Sequence, residues 1–159
     1  MDFSRALDLE PTHLCRELNR YDCVSFVHPI SLGGVAAYEA GIYEPLAQTA
    51  ITAPMVADRL ALATCANRLA ADLANPAQGL IWRIAPPDGR IDPTADEPVA
   101  SVRRLYERIL LRHPTPAEIA HHQQLYRDID ASGESALPAA DWAVLSCFVV
   151  LSSVESLFY

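Results

Sequence analysis

Apolar and polar positions along most of this chain recur with the period of a helix. In "TAPMVADRLALATCANRLAADLANP", Leu62, Cys65, Ala66, Leu69 and Leu73 follow at helical spacings and form one stripe. Thr52 occupies the N-cap position, Pro54 falls in the first turn, and Asn75-Pro76 ends the run. Arg68 and Asp72 read as an i,i+4 pair on another face, worth about a few tenths of a kcal/mol. The C-terminal half predicts three more helices. Val102, Leu105, Tyr106 and Ile109 make the stripe of the first. Thr115, Pro116 and Glu118 then supply an N-cap, a first-turn proline and an N3 glutamate, which together define a capping box. Ile119, His122, Tyr126 and Ile129 share a face of the helix that this box starts, and Gly133 closes it. The last helix begins near Pro138 and carries Trp142, Leu145, Phe148, Val149 and Leu151, apolar almost all round, as a central buried helix is.

The N-terminal third is less regular. "PTHLCRELNRY" has the pattern of a short helix. "DCVSFVHPISLGG" is β-prone but broken by Pro29 and Gly33-Gly34, and residues 35–50 have room for one or two helical turns interrupted by Gly41 and Pro45. Residues 76–98 carry Pro76, Pro86, Pro87, Pro93 and Pro98, the strongest linker signal in the chain. Within them "GLIWRI" is apolar enough to dock on a core as a short strand or extended clamp. The expectation is an all-α fold, an irregular bundle of about five helices with a Pro-rich connecting segment. It forms a single domain over 1–159, organised as a helical half (1–75), the linker or clamp (76–98) and a three-helix unit (99–159). A chain of 159 residues buries most of its apolar surface without staples.

Composition sharpens what such a fold can do. An apolar fraction of 51% with 20% charged residues belongs to a globular protein. The formal net charge of −8 counts against nucleic acid as a partner, since phosphate binding needs clustered cations. All 12 basic residues are arginine, and the one basic cluster, Arg103, Arg104, Arg108 and Arg112, is interrupted by Glu107. The uncharged run 142–154 falls short of the roughly 18 residues that cross a bilayer, so no transmembrane segment is expected. The acidic start lacks a secretory signal, and a cytoplasmic location follows as the expectation. The four cysteines form no CxxC and read as reduced thiols, with Cys65 and Cys147 as small buried hydrophobes. Cys15 and Cys23 pair only if the chain between them turns tightly.

Candidate chemistry is sparse. His121 and His122 are adjacent, so on a helix they point about 100° apart and do not share one ion. Glu118 with His122, at i,i+4, is the candidate metal pair, although Glu118 already serves the cap. A thiol–imidazole pair can be assembled from Cys15 or Cys23 with His13 or His28. There is no GxSxG elbow and no glycine-rich phosphate loop, so neither a catalytic residue nor a cofactor is assigned. Apolar surface is the better lead. Leu157, Phe158 and Tyr159 end the chain, and each costs about 1.5–3 kcal/mol if left in water. With Trp82 they are the candidates for partner binding; Tyr21, Phe26, Tyr38 and Tyr43 form a further aromatic set for core or interface. The function expected is a non-catalytic scaffold, adaptor or accessory subunit that binds a protein partner or a second copy. The alternative is a small metal-dependent or Cys/His enzyme.

Residues 102–159 carry "VRRLYERILLRHPTPAEI" and, after a spacer, "DWAVLSCFVVLSSVESLFY". This resembles the C-terminal helical module of planctomycete-type, cytochrome-associated bacterial proteins of unknown function. That pattern is a Leu-Tyr helix, an Arg-x-Pro-Thr-x-x-Glu corner and a closing helix that ends near Ser-x-Glu-Phe. Arg112, Pro114, Thr115 and Glu118 match the corner, while Ser153, Glu155 and Phe158 approximate the ending. The resemblance implies a helical scaffold and no catalytic residue. The CxxCH haem motif of the associated cytochrome domains is absent from this sequence, so no haem is implied.

Overall fold

The computed structural model describes residues 3–35, 41–44, 51–84 and 90–158, except for the side chains of Leu157 and Phe158. The expectations for Tyr38, for the turns within 36–40 and 45–50, and for Pro86 and Pro87 lie outside the described residues. The described residues are predominantly helical: α1 (Phe3–Leu7), α2 (Ala53–Ala74), α3 (Asp96–Ile109), α4 (Pro116–Ser132), α5 (Pro138–Leu151) and α6 (Val154–Phe158). A two-stranded hairpin, β1 (Arg16–Glu17) with β2 (Tyr21–Asp22), is the one sheet among them.

Helix α5 is the axis of the bundle, and α2, α3 and α4 all pack on it. It buries Trp142, Ala143, Ser146, Cys147, Val150 and Leu151, and even its exposed Val149 is apolar, so it is apolar almost all round as expected. Helix α3 buries the expected stripe of Val102, Leu105, Tyr106 and Ile109. Helix α4 starts with the expected capping box: Thr115 Oγ1 accepts from the Glu118 amide at 3.2 Å and Glu118 Oε2 accepts from the Thr115 amide at 2.7 Å. It stops at Gly133, whose φ of 67° is the left-handed conformation that ends helices. One apolar core runs from Phe3, Leu7 and Leu14 through α2 and Ile81–Trp82 to α5, so both halves of the chain share it.

The N-terminal third departs from the sequence expectation. Residues 11–21 do not form a short helix. After a single 3₁₀ turn (Pro11–His13), the chain enters the hairpin, which reverses at Leu18 and Asn19 with φ of 53° and 56°. Two residues with positive φ match the twist of a tight hairpin turn. The reversal brings Cys15 and Cys23 together, with Cα atoms 5.5 Å apart, and they are joined as a cystine. Downstream, Cys23–Val27 forms one π-helical turn, not a strand, and Asp22 Oδ1 caps it by accepting from the Val24 and Ser25 amides at 3.0 and 2.6 Å. The second correction concerns Cys65 and Cys147, which are not reduced thiols but a second cystine, joining α2 to α5. Among the described residues no cysteine is free.

Helix α2 shows the third departure. Its buried face is Leu60, Ala61, Thr64, Cys65, Arg68, Leu69 and Asp72, while Leu62 is 44% exposed. The Arg68–Asp72 pair is therefore inside the protein, not on a solvated face. Arg68 Nη2 donates to Asp72 Oδ1 at 2.8 Å, and Arg68 Nη1 reaches the carbonyls of Leu7 and Asp8 at 3.1 and 3.3 Å. Asp72 also accepts from the amides of Leu80, Ile81 and Trp82, at 2.6, 3.1 and 2.9 Å. This clamps "GLIWRI" on the core as a bend, not a strand, with three consecutive peptide donors satisfied by one side chain. The turn before it requires Gly79, because a Cβ there would collide with the carbonyl oxygen of Trp82.

Candidate functional site

The Pro-rich corner between α3 and α4 is an ionic clasp. Arg112 donates to Glu118 through Nη1 and Nη2 at 3.0 and 2.7 Å, and to Glu155 at the start of α6 through Nε and Nη2 at 2.7 and 2.8 Å. Its guanidinium also lies over the Tyr106 ring, 5.2 Å from the centroid. Two fork-like carboxylate contacts are the geometry that arginine serves and lysine does not. Hydrogen bonding from Arg112 holds the Glu118 carboxyl down at about 2, and it lowers that of Glu155 as well. Arg112, Thr115, Glu118 and Glu155, on which the sequence resemblance rests, thus make one polar joint among three helices.

His122 lies directly beneath this joint, 4% exposed. Its Nδ1 is 3.0 Å from Ser146 Oγ and its Nε2 is 3.3 Å from Tyr106 Oη, while its carbonyl accepts from Trp142 Nε1 at 2.8 Å. Tyr106, His122 and Ser146 form a hydrogen-bonded line of the kind that activates a hydroxyl. All three are buried, however, so the line ties α3, α4 and α5 together. The structure does not bring Glu118 and His122 together as a metal pair. Glu118 is spent on Arg112 and the cap, and both nitrogens of His122 are occupied. His113 lies at the surface, paired with Glu107 at 2.8 Å.

Burial pushes the His122 imidazole down to about 4 from an ordinary 6.5. A folded state that binds the proton less well than the unfolded chain loses stability as acid is added. The neutral ring therefore contributes in full above about pH 6.5. That contribution falls as the pH drops towards about 4 and is lost below it, a change on the order of 3 kcal/mol. Urea midpoints across this window are expected to slope in the wild-type chain and to flatten in His122→Gln. Parallel slopes in the two chains would show that other groups carry the acid sensitivity.

The remaining sequence candidates fall elsewhere. Trp82 is 0% exposed, edge-on to Trp142 with ring centroids 5.5 Å apart, so its indole builds the core and is not available to a partner. The side chains of Leu157, Phe158 and Tyr159 lie outside the described residues. Three of the four clustered arginines are spent internally: Arg104 binds the Ile81 carbonyl and Glu97, Arg108 binds the Ala6 carbonyl, and Arg112 forms the clasp, while Arg103 is exposed.

Exposed apolar side chains include several along the hairpin and the turn after it, while others, among them Tyr43, Ile51, Met55, Leu111 and Val154, stand elsewhere. Leu18 is 87% exposed and Phe26 54% exposed, with Tyr21, Val24 and Val27 beside them. Tyr21 and Phe26 stack with centroids 5.4 Å apart, and the Arg20 guanidinium lies 5.2 Å over the Tyr21 ring. Sequence reasoning had Tyr21 and Phe26 only as a set for core or interface and did not include Leu18. The signal that marks all three is the cystine, which converts an apparent helix into a displayed loop. Fold and surface together define an all-α bundle cross-linked by two cystines, with an apolar N-terminal finger. Comparison with protein-family models, curated proteins and solved structures gave no match.

Proposed function

We propose that the protein is a non-catalytic helical scaffold or accessory subunit whose N-terminal finger docks on a protein partner or a second copy of the chain. The observation that carries this reading is the display of Leu18, Tyr21 and Phe26 on a covalently closed hairpin. Exposed apolar groups on one loop, with Tyr21 and Phe26 stacked on each other, are what contact sites offer, and a cross-linked loop loses little entropy when it docks. The corner joined by Arg112, Glu118 and Glu155 supports, as a further proposal, that residues 102–159 correspond to the helical module they resemble. In that correspondence the shared residues hold three helices together. The alternative enzyme reading gains no support from Glu118 and His122, both of which are committed to internal bonds.

Two cystines also favour an oxidising compartment over the cytoplasmic one expected from sequence, because such bonds rarely persist where glutathione keeps thiols reduced. Among the described residues no helix is long and apolar enough to cross a membrane.

Sedimentation of the wild-type chain over a concentration series, alone and with proteins encoded beside its gene, tests the docking surface. A Leu18→Asp/Phe26→Asp variant is expected to associate at least roughly tenfold more weakly, because buried apolar anchors dominate interfaces. Its melting temperature should fall only slightly, since Leu18 is 87% exposed and Phe26 gives up little beyond its stacking on Tyr21. Equal association by the two chains would refute the proposal.

A further inference from the structure

We propose that reduction of the Cys15–Cys23 cystine converts the base of the finger into a zinc site, with Cys15, Cys23, Glu17 and His28 as its ligands. Among the described residues, Cys15, Glu17 and Cys23 are the one group of potential ligands whose donor atoms all lie within 4.8 Å of one another. His28 Nε2 lies 3.3 Å from Glu17 Oε1; it stands outside that close group and completes it by a shift of the imidazole towards the sulfurs. Two thiolates, one imidazole and one carboxylate make a four-member donor set of the softness and number that zinc takes in tetrahedral sites. At Zn–S bonds of about 2.3 Å the two sulfurs stand roughly 3.8 Å apart. Rotation of the cysteine side chains reaches that separation while the Cα atoms keep their 5.5 Å spacing.

Charge supplies the second argument. Reduction places two thiols beside the Glu17 carboxylate, which keeps them protonated until a cation joins the group and offsets the repulsion among two thiolates and a carboxylate. A divalent ion leaves one net negative charge. Arg59 cancels it, with its Nη2 2.6 Å from Glu17 Oε2. That contact occupies one carboxylate oxygen and leaves Oε1, beside His28, for the metal. The cystine Cys65–Cys147 has no such surroundings among the described residues, so the two cystines differ in role.

The chemistry balances with a dithiol as reductant. The dithiol gives two electrons and two protons to the cystine, forming two thiols and becoming a cyclic disulfide itself. Zinc then displaces both thiol protons to solvent. Metal binding thereby draws the reduced form onward, and the finger keeps its base closed in either redox state. This inference is independent of the docking reading.

Cobalt(II) and zinc titrations of the full chain test it. Limited phosphine treatment opens Cys15–Cys23, alkylation mapping verifies which pair has opened, and the phosphine is removed before metal is added. The reduced chain is expected to bind one cobalt ion with an intense thiolate-to-metal absorption band that zinc abolishes, whereas the oxidised chain shows no band. Glu17→Gln and His28→Ala should each weaken binding by at least roughly tenfold, and Cys15→Ser/Cys23→Ser should eliminate the band. A reduced chain without the band overturns the proposal, as does a band that persists in Cys15→Ser/Cys23→Ser.

Discussion

Asp72→Ala is expected to remove roughly 3–5 kcal/mol of stability, the range found when a buried ion pair loses one partner. The side chain is 1% exposed and accepts four hydrogen bonds, one from Arg68 and three from consecutive peptide amides at Leu80, Ile81 and Trp82. Truncation leaves those amides without acceptors and strands the Arg68 charge in the core. Each orphaned donor alone costs about 1–3 kcal/mol, so relaxation of the clamp has to absorb part of the loss. A domain of this size has on the order of 5–15 kcal/mol in total, which makes Asp72 one of the most sensitive positions in the chain. Asp72→Asn keeps an acceptor oxygen and should fall between alanine and wild type. Urea unfolding measures the energy. Hydrogen exchange at the amides of residues 80–82 measures the cause, since they should lose protection before the helices do. An alanine variant within about 1 kcal/mol of wild type would show that solvent replaces the carboxylate at little cost.

The same residue explains why part of the fold was not legible in the sequence. The stripes of α3, α4 and α5 were, because their inward positions are mostly apolar and their ends carry Thr115, Pro116, Gly133 and Pro138. Helix α2 was legible as a helix and in part by face: Cys65 and Leu69 of its stripe are buried and Leu73 packs on the core, whereas Leu62 and Ala66 are exposed. Three of its inward positions are Thr64, Arg68 and Asp72, which a search for apolar periodicity passes over in favour of Leu62 and Ala66. What makes those polar groups buriable is the set of partners from residues 7, 8, 14 and 80–82, far away in sequence. The hairpin was missed for a related reason. The run from Pro11 to Tyr21 has helical composition, and only the bond between Cys15 and Cys23 and the left-handed Leu18 and Asn19 favour reversal. At the corner, the local half was readable as a capping box. The contact of Arg112 with Glu155, 43 residues away, was visible only as an unexplained element of a resemblance.

The Cys65–Cys147 bond sets the second large effect. Its sulfurs link the two helices at the centre of the bundle, both residues are 0% exposed, and the bond closes a loop with a sequence separation of 82. Chain entropy for such a loop stabilises the fold by about 4.5 kcal/mol, against about 2.5 kcal/mol for the separation of 8 at Cys15–Cys23. Cys65→Ala/Cys147→Ala is therefore expected to lower the urea midpoint far more than Cys15→Ser/Cys23→Ser does. Excess reductant should lower the wild-type midpoint by at least as much as the core substitution does. The two bonds also differ in order of opening. The Cys15–Cys23 pair is itself buried, at 5% and 2% exposed, but only the hairpin and the turn after it have to lift to reach it. The core pair becomes accessible only when α2 and α5 separate, so its reduction should track global unfolding. Time-resolved alkylation in moderate urea distinguishes these phases. An unchanged midpoint under reductant, or free thiols at Cys65 and Cys147 in the purified chain, would remove both the stabilisation and the inference of an oxidising compartment. If the order holds, mild reduction acts on the finger alone, and the bundle that carries it keeps its shape while the chemistry at its base changes.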